Sequence, residues 1–459
     1  MDTDCIAAIA TPAGEGGIAI IRISGDQAVS IVDGLFVSYS GMSLTDIASH
    51  TLNLGMFNDC DGDMIDEVLI GLMRGPRSYT GEDVVEVNCH GGKVAVRRCL
   101  EELIQAGARL AEPGEFTKRA FLNGKLDMAQ AEAVIELIRA RSEKALELSV
   151  KNLKGGLSRT IDGVEELLVI TNSRLEASID FPEEVGEPVW KEIEEFLESA
   201  RNTLERLQAG GKRNRVYQEG IKVVLVGKPN VGKSSLLNAL MRKDRAIVTE
   251  IPGTTRDVIE DYVTIQGVPV KLADTAGIRE TADVIESIGV EKSREAVETA
   301  DIIVFMLDAQ TGFTEEDREV LRIVDKKKKI VIINKEDIPD KALDKETTEA
   351  RFPGCIVVEV SAKYESGIEV LEKAIVESVL EGWEDQLNEA VMVNFRQEKL
   401  INAALDYIND ALIGVRNQSP IDALAVDTWG AVECLEELTG KKIRENIMER
   451  IFHDFCIGK

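Results

Sequence analysis

Hydrophobic and polar positions alternate with a different period in successive parts of the chain. In residues 1–120, short apolar runs such as 18–21 and 84–87 are separated by turns rich in Gly, Asp and Asn, and one helix-like stretch covers 93–106. Short apolar runs between turn residues are typical of strands. This first stretch therefore predicts an α+β domain.

Residues 121–215 change to the period of a helix. Asp127 is placed to cap a helix, and apolar residues then recur at helical spacing at Val134, Leu137 and Ile138, and later at Trp190, Ile193, Leu197, Ala200, Leu204 and Leu207. This spacing aligns side chains on one face, so we expect these stripes to form core. Helical spacing returns in residues 381–459, which we expect to complete the all-α domain that 121–215 begins.

The intervening part, residues 216–380, has the pattern of an inserted α/β domain. Apolar, β-branched runs predict buried parallel strands at 221–226, 302–307, 330–333 and 355–360. A further pair of runs flanks Gln266-Gly267 and predicts a hairpin. Ligands of α/β sheets bind at the carboxyl ends of the strands, so we expect the polar motifs that follow these runs to meet in one site.

Residues 227–234 match a phosphate-binding loop. They read Gly-Lys-Pro-Asn-Val-Gly-Lys-Ser and fit G-x-x-x-x-G-K-[ST] between a predicted strand and a predicted helix. In such a loop the backbone amides surround the phosphates, Lys233 reaches the β- and γ-oxygens, and Ser234 coordinates Mg²⁺. A plain glycine-rich turn would not need the Lys-Ser pair. We therefore expect a nucleoside triphosphate and Mg²⁺ here.

Three further motifs predict the base and the remaining phosphate contacts. Asn334-Lys335-Glu336-Asp337 follows one strand, and the carboxylate of Asp337 can accept hydrogen bonds from the guanine N1–H and exocyclic amine, an arrangement that adenine lacks. GTP is therefore expected rather than ATP. Ser361-Ala362-Lys363 would clasp the base. In Asp274-Thr275-Ala276-Gly277, the Asp would hold Mg²⁺ through water and the Gly amide would bind the γ-phosphate.

The catalytic part departs from the Ras pattern. Ras-like GTPases place a glutamine after Asp-x-x-Gly to orient the attacking water, whereas this chain has Ile278, which cannot do so. The charged stretch 279–286 contains candidate replacements, of which we single out Glu286, although composition alone favours its interpretation as a solvated carboxylate at a helix start. The loop 249–257 supplies Thr255 as a second Mg²⁺ ligand. Its carbonyls and Asn230 offer neutral oxygens, which favours a K⁺ ion that offsets developing charge.

Composition limits the partners and the compartment. The formal net charge of −28 argues against broad nonspecific affinity for nucleic acid. Seven cysteines without a C-x-x-C pair fit reduced thiols of a cytosol. Cys456 is either a buried packing cysteine or a functional thiol. Signal-peptide features are missing and no apolar run nears the roughly 20 residues of a membrane span, so we expect a cytoplasmic protein without a membrane partner.

Several short motifs together resemble one family. They lie at 17–25, 78–86, 91–92, 113–117, 120–127, 253–257 and 456–459. The family is that of the MnmE (TrmE) tRNA modification GTPases, and the resemblance spans essentially the whole chain. It implies an α+β N-terminal folate-binding and dimerising domain at 1–120, a helical domain at 121–215 and 381–459, and an α/β Ras-like G domain at 216–380 inserted in the helical domain.

The resemblance also implies an activity. Members form a homodimer and work with a flavoprotein partner, MnmG, as a heterotetramer that installs a carboxymethylaminomethyl group on C5 of the wobble uridine of certain tRNAs. The one-carbon unit is tied to a tetrahydrofolate, with 5-formyltetrahydrofolate as the recognised ligand. Because this chain is acidic, we expect most tRNA affinity to lie in the flavoprotein or in a groove shared with it.

Site residues follow from the resemblance position by position. Glu286 matches the carboxylate that orients water; together with Lys233 and Cys456 it completes the expected catalytic residues. K⁺ ligands match Asn230, Thr249, Ile251 and Thr254, and folate contacts match Arg22, Glu86, Lys125 and Lys459. The expected GTP site comprises Asn230, Val231, Gly232, Lys233, Ser234, Ser235, Thr249, Glu250, Ile251, Pro252, Gly253, Thr254, Thr255, Asp274, Thr275, Ala276, Gly277, Asn334, Lys335, Asp337, Ser361, Ala362 and Lys363. Because Lys459 must reach the folate, the C-terminal helix should run toward the N-terminal domain or its dimer mate.

Two other functions fit the nucleotide motifs. A pure molecular switch of ribosome assembly or translation would have the same phosphate loop, but it has no reason to possess the N-terminal motifs or the Cys456 tail. A folate-dependent one-carbon transferase regulated by GTP is the third interpretation. Nucleoside analysis of tRNA from cells that lack the protein distinguishes these functions.

Overall fold

The computed structural model describes residues 4–243, 262–274, 296–324, 327–380 and 391–459. Its N-terminal part contains a seven-stranded sheet in the order β3-β4-β5-β6-β2-β1-β7. The strands are β1 (Ile6–Ile9), β2 (Ile18–Ser24), β3 (Phe36–Ser38), β4 (Thr51–Asn58), β5 (Met64–Met73), β6 (Val84–His90) and β7 (Arg109–Leu110). Neighbours are antiparallel except β1 and β7.

The two faces of this sheet differ. Helices Ala28–Asp33 and Lys93–Gln105 share a core cluster with the inward side chains of the strands, such as Ile21, Ile70 and Val87. The opposite face carries charged side chains and exposed leucines. Burial on one face alone is typical of an antiparallel sheet. The strands predicted at 18–21 and 84–87 and the helix predicted at 93–106 are confirmed.

The helical domain is assembled from two separate parts of the chain. Helix Glu115–Leu122 ends the N-terminal part, and the helices of the helical domain are Met128–Arg139, Glu143–Leu153, Gly156–Asp180, Pro182–Val185, Trp190–Glu219, Phe395–Arg416, Ile421–Thr439 and Glu445–His453. Helices from both parts contribute to one core, in which Leu168 and Leu197 lie with Ile408 and Leu435. The predicted insertion of an α/β domain into a helical domain is therefore confirmed. None of the helices that the structure describes combines the length and apolarity needed to cross a membrane.

Local sequence signals explain where these helices begin. Asp127 caps helix Met128–Arg139, since its Oδ1 accepts from the amide of Gln130 at 2.8 Å while the Gln130 side chain accepts from the amide of Asp127. This reciprocal pair is a capping box, and the predicted N-cap is confirmed. The predicted stripe from Trp190 to Leu207 faces the helical core. The expected burial of Ile138 is wrong, because this side chain lies on the solvent side of the last helical turn and is 38% exposed.

The inserted part is a six-stranded sheet in the order β13-β12-β11-β8-β10-β9, with a core cluster on each face. Its strands are β8 (Ile221–Val226), β9 (Tyr262–Ile265), β10 (Val268–Asp274), β11 (Ile302–Asp308), β12 (Lys329–Asn334) and β13 (Ile356–Val360). Helices in this part include Lys233–Lys243, Glu315–Val324, Lys345–Arg351 and Ile368–Leu380. All strand pairs are parallel except the predicted β9–β10 hairpin, which is confirmed.

The inserted part and the helical domain meet at one joint. Helix Trp190–Glu219 leads into β8 through Gly220, where a Cβ would lie 2.6 Å from the carbonyl oxygen of Pro269. On the return side, the buried amide of Asn152 holds Met392 twice: Nδ2 donates to its carbonyl oxygen at 2.7 Å and Oδ1 accepts from its amide at 3.3 Å. One side chain of the helical domain therefore fixes the backbone that leaves the inserted part.

A buried carboxyl group lies at the same joint. Glu136 Oε1 accepts from Nδ2 of Asn394, which caps helix Phe395–Arg416, at 3.2 Å. The other oxygen, Oε2, is buried and has no hydrogen-bond partner among the described residues. Burial, and then the nearby carboxylate of Glu132, raise the pKa of Glu136 to about 8. Glu132 forms an ion pair with Arg396, at 2.7 Å. Of these two neighbouring acids, Glu136 is the one for which the described residues supply no cationic partner.

The C-terminal tail, residues 454–459, returns to the N-terminal domain. Phe452 and Phe455 pack in a cluster with Met128, and the amide of Gly114 donates to the carbonyl oxygen of Cys456 at 3.4 Å. Gly458 has a φ of 90°, and a Cβ there would lie 2.5 Å from the carbonyl oxygen of Ile9 on β1. The tail thus reaches the N-terminal sheet of its own chain, which is one of the two alternatives that the resemblance implied.

Candidate nucleotide site and tail site

The phosphate loop, residues 227–234, connects β8 to helix Lys233–Lys243. Gly232 has a φ of 106°, and a Cβ at this position would lie 2.2 Å from Nδ2 of Asn334. Only glycine combines this backbone conformation with so close an approach. The loop is therefore packed directly against the Asn-Lys-x-Asp motif.

Lys233 lies inside this loop. Its Nζ donates to the carbonyl oxygens of Gly227 and Lys228, at 2.8 and 3.0 Å, and its side chain is buried. Lys233 also begins a helix whose first amides and dipole favour an anion, and Ser234 and Ser235 are exposed in the first turn. The loop thus presents a cation, hydroxyl groups and backbone amides, which are the groups that bind phosphates and their Mg²⁺ ion.

Asn334 joins the phosphate loop to the base-clasping loop. Its Nδ2 donates to the carbonyl oxygen of Val231 at 2.8 Å, and its Oδ1 accepts from the amide of Ala362 at 3.1 Å. Beside it, the hydroxyl of Ser361 donates to Oδ1 of Asp337 at 2.6 Å. Two of the predicted base motifs therefore hold each other in place, and Ser361 orients the carboxylate of Asp337.

Lys335 is anchored by an acid at the end of β11. Its Nζ donates to Oδ2 of Asp308 at 2.6 Å. Burial alone would raise the pKa of Asp308, but the hydrogen bonds from Lys335 and from the amides of Gln310 and Thr311 outweigh it and hold the pKa below its usual value. Asp308 is therefore ionised at neutral pH and fixes the Lys335 side chain.

The described residues contain only part of the predicted GTP site. Strand β10 ends at Asp274, whose Cα pairs with Leu225 of β8 beside the phosphate loop, and Lys363 follows Ser361 and Ala362 at the carboxyl end of β13. Other predicted residues lie outside the described ranges, namely Thr249, Glu250, Ile251, Pro252, Gly253, Thr254, Thr255, Thr275, Ala276, Gly277 and Glu286. The phosphate loop and both base motifs thus meet at one sheet edge.

A second group of charges lies on the outer face of the N-terminal sheet. Arg22 on β2 and Glu86 on β6 are register partners, and Nε and Nη2 of Arg22 donate to Oε1 of Glu86 at 3.0 and 2.8 Å. Its Nη1 donates to the carbonyl oxygen of Gly458 at 3.2 Å. The rings of Tyr79 and Phe116 lie 5.4 and 5.8 Å from the guanidinium carbon.

The end of the tail completes this group. Lys459 is half-buried, and burial followed by the Arg22 charge lowers its pKa, while Glu86 acts in the opposite direction. Cys456 is exposed, so its interpretation as a buried packing cysteine is wrong. Lys125 donates to the carbonyl oxygen of Pro76 at 2.9 Å, which places it on the loop that follows β5 rather than on the Arg22–Glu86 pair.

Sequence reasoning missed several residues of these two sites. Tyr79 and Phe116 lie inside family-like motifs, where aromatic residues among polar ones could have signalled a stacking surface. Asp308 is the last residue of the buried strand β11, and the recognised nucleotide motifs likewise lie where strands end. Asp317 belongs to Thr-x-x-Asp at a helix start, a capping pattern. The sequence pattern does not show that Asp317 also forms an ion pair with Lys228 of the phosphate loop.

A parallel sheet whose carboxyl edge carries a phosphate loop and an Asn-Lys-x-Asp motif defines a GTP-binding domain of the GTPase class. Two family models match the rest of the architecture: the GTP-binding protein TrmE N-terminus over residues 5–125 and the MnmE helical domain over residues 128–456. The chain belongs to the MnmE family of tRNA modification GTPases.

Similar proteins match over their full length. The chain is 50% identical over 457 residues to the tRNA modification GTPase MnmE of Syntrophomonas wolfei subsp. wolfei, which covers 99% of both chains. It is 45% identical over 459 residues to the protein of the same name from Geobacillus kaustophilus, again with 99% of both covered. It is 47% identical over 463 residues to that of Moorella thermoacetica, with 99% of both covered.

Proposed function

We propose that the protein is a K⁺-activated cytoplasmic GTPase that works with the flavoprotein MnmG to add a carboxymethylaminomethyl group to C5 of the wobble uridine of certain tRNAs. A tetrahydrofolate, such as 5-formyltetrahydrofolate, supplies the one-carbon unit. One observation carries the proposal: the tail that bears Cys456 is seated on the Arg22–Glu86 pair, in a chain that also holds a GTP site. A pure molecular switch has no use for that arrangement.

In the GTP site, each proposed role comes from the motif to which the residue belongs and from the chemistry of its side chain. Lys233 binds the β- and γ-phosphates, Ser234 and Thr255 coordinate Mg²⁺, and Asp274 holds the ion through water. Asp337 recognises guanine through hydrogen bonds to the base, and Asn334 holds the Asn-Lys-x-Asp motif in position. An isoleucine follows the Asp-x-x-Gly motif, and Glu286, which matches the water-orienting carboxylate of the family, orients the attacking water instead.

Potassium would replace an arginine finger in this site. Its proposed ligands are Asn230, Thr249, Ile251 and Thr254. Asn230 is the proposed K⁺ ligand that lies among the described residues. It fits such an ion, because it is an exposed amide in the phosphate loop with a φ of 59°. At equal ionic strength, hydrolysis in KCl should exceed that in NaCl by at least about tenfold. Equal rates in the two salts would refute the potassium assignment.

The tail site suits a flat heterocycle that carries carboxylates. Arg22 and Lys459 offer cations, Glu86 can accept from ring N–H groups, and Tyr79 and Phe116 offer aromatic faces. Titration calorimetry with 5-formyltetrahydrofolate tests this site. Binding should be lost in Arg22→Met and kept in Arg98→Met, which removes an exposed arginine paired with Asp59 on the same domain.

A homodimer would cover the outer face of the N-terminal sheet. In the register, Leu52 and Leu54 pair with Gly71 and Leu69, so these leucines lie beside the Arg22–Glu86 row. Leu52, Leu54 and Leu69 are 69%, 47% and 40% exposed. A contiguous exposed apolar patch next to a ligand site favours a protein partner, and we assign a second copy. Light scattering should give a dimer that Leu54→Glu converts to monomer.

The decisive test of the activity is nucleoside mass analysis of tRNA. Cells that lack the protein should lose the carboxymethylaminomethyl group at the wobble uridine, and the wild-type gene should restore it. Unchanged modification in the deletion strain would exclude the proposed function. Because the net charge is −28, the purified protein alone should bind tRNA weakly, and addition of the flavoprotein should strengthen binding.

A further inference from the structure

Lys228, the second residue of the phosphate loop, takes part in a buried ion pair. Its Nζ donates to Oδ2 of Asp317 at 3.0 Å and to the carbonyl oxygen of Gly312 and the hydroxyl of Thr314 at 3.3 Å each. Lys228 is 7% exposed and Asp317 is fully buried. Desolvation largely offsets the attraction within such a pair, so net stability is a poor explanation for its presence.

The acid of this pair is held independently of the lysine. Oδ2 of Asp317 also accepts from the amide and the hydroxyl of Thr314, at 2.9 and 2.7 Å, at the start of helix Glu315–Val324. Its Oδ1 is buried and has no hydrogen-bond partner within the described part of the chain. The start of the helix therefore fixes the carboxylate of Asp317, and the ammonium group of Lys228 binds to it.

The same lysine also contacts the phosphate-binding residue. While its side chain is held by Asp317, its carbonyl oxygen accepts from Nζ of Lys233 at 3.0 Å. Anchoring the side chain of Lys228 restricts rotation of its peptide unit, and that peptide unit is one of the two that hold Lys233. The pair is thus linked to the phosphate-binding ammonium through a single residue.

The segment that carries Asp317 reaches the base motif as well. Residues 308–317, here called the bridge segment, begin at Asp308, which binds Lys335 at 2.6 Å, and end at Asp317. The amide of Gly312 donates to the carbonyl oxygen of Asp308, which closes a turn between the two acids. One short segment therefore holds the phosphate loop at one end and the Asn-Lys-x-Asp motif at the other.

We propose that Lys228 and Asp317 form a positioning pair that presets the phosphate loop for GTP. The inference rests on the proposed assignment of Lys233 to the phosphates. The pair acts through the loop backbone rather than through contact with the nucleotide. Without it, the loop must be ordered during binding, and this cost falls equally on bound GTP and on the transition state. KM should therefore rise while kcat stays nearly unchanged.

The experiment compares Lys228→Met, Asp317→Asn and the double variant with the wild-type protein. In each single variant, the Kd for a fluorescent GTP analogue and the KM for GTP should rise about tenfold, with kcat within about threefold. The double variant should be no weaker than Lys228→Met, because both changes remove the same interaction. Lys373→Met is the control, since it removes an exposed lysine paired with Glu377 in the same domain and should bind GTP normally.

The outcomes separate positioning from support of the fold. A folded Lys228→Met protein with wild-type Kd and KM would overturn the inference, as would a fall in kcat at constant KM. If Lys228→Met does not fold, Asp317→Asn, which preserves side-chain shape, decides in the same way, and Lys228→Arg should restore affinity because it keeps the cation. Failure of the wild-type protein to bind GTP would instead refute the proposed nucleotide site.

Discussion

Arg22 and Gly458, which lie 436 positions apart, are joined by a hydrogen bond of 3.2 Å from the guanidinium Nη1 to the carbonyl oxygen. The same guanidinium is held by Glu86 on the neighbouring strand. The position of the tail is therefore set by two strands of the N-terminal sheet. Because Cys456 lies two residues before Gly458, the same contact determines where the thiol is presented.

Gly458→Ala should lift the tail from the sheet. The residue has a φ of 90° and a Cβ would meet the carbonyl oxygen of Ile9 at 2.5 Å, so alanine brings both backbone strain, worth roughly 1–2 kcal/mol, and a clash. Carboxypeptidase should release Lys459 several-fold faster than from the wild-type protein. Gly163→Ala is the control, because a Cβ there meets nothing within 4 Å. Equal release rates in all three proteins would contradict this account of the tail.

Cys456→Ser should abolish tRNA modification while GTP hydrolysis continues. The thiol is exposed on the tail, beside the proposed one-carbon site, and we expect it to have a chemical role there that the less nucleophilic hydroxyl of serine replaces poorly. Nucleoside analysis and a phosphate-release assay measure the two activities separately. Cys60→Ser, which changes another exposed thiol, should leave both intact. Full modification by Cys456→Ser would assign the thiol no chemical role.

Glu136→Gln should change the pH dependence of stability. The folded-state pKa of Glu136 is about 8, above the ordinary value of 4.5, so between these values the folded protein binds more protons than the unfolded chain. Stability therefore falls as pH rises through this window, by up to about 1.4 kcal/mol per pH unit. The glutamine variant lacks this loss. Its free energy of unfolding should therefore rise relative to that of the wild-type protein from pH 5 to pH 8, roughly the range between the two pKa values.

Urea unfolding at several pH values measures the effect. Glu166→Gln, at an exposed position on helix Gly156–Asp180, should follow the wild-type curve. Parallel curves for Glu136→Gln and the wild-type protein would show that Glu136 stays ionised at the joint.

Asp337→Asn should exchange guanine for xanthine specificity. Ser361 already fixes one carboxylate oxygen, at 2.6 Å, so the substituted side chain keeps its position while its amide donates where the carboxylate accepted. GTP affinity should fall by at least about a hundredfold and xanthosine triphosphate should bind better than GTP. Competition binding measures both. Asp340→Asn, three positions later and exposed, should remain selective for GTP, and retention of that selectivity by Asp337→Asn would exclude its role in base reading.

Local signals predicted much of this molecule. The cap at Asp127 and the hairpin at Gln266-Gly267 depend on neighbouring residues, and the sequence shows those directly. The Lys228–Asp317 pair joins residues 89 positions apart, and the Glu136–Asn394 contact joins residues 258 positions apart. Periodicity carries no information about such partners. The prediction that Ile138 is buried was wrong for the same reason: helical spacing identifies the apolar face of a helix but does not show how far neighbouring elements cover that face.

The two hydrogen bonds between Asn152 and Met392 have a mechanical consequence. Moving the backbone of Met392 away from the helices would remove both the donor and the acceptor partner of one buried amide side chain. Leaving such groups unsatisfied costs roughly 1–3 kcal/mol each. Any displacement of Met392 from the helical domain is therefore opposed by both hydrogen bonds at once.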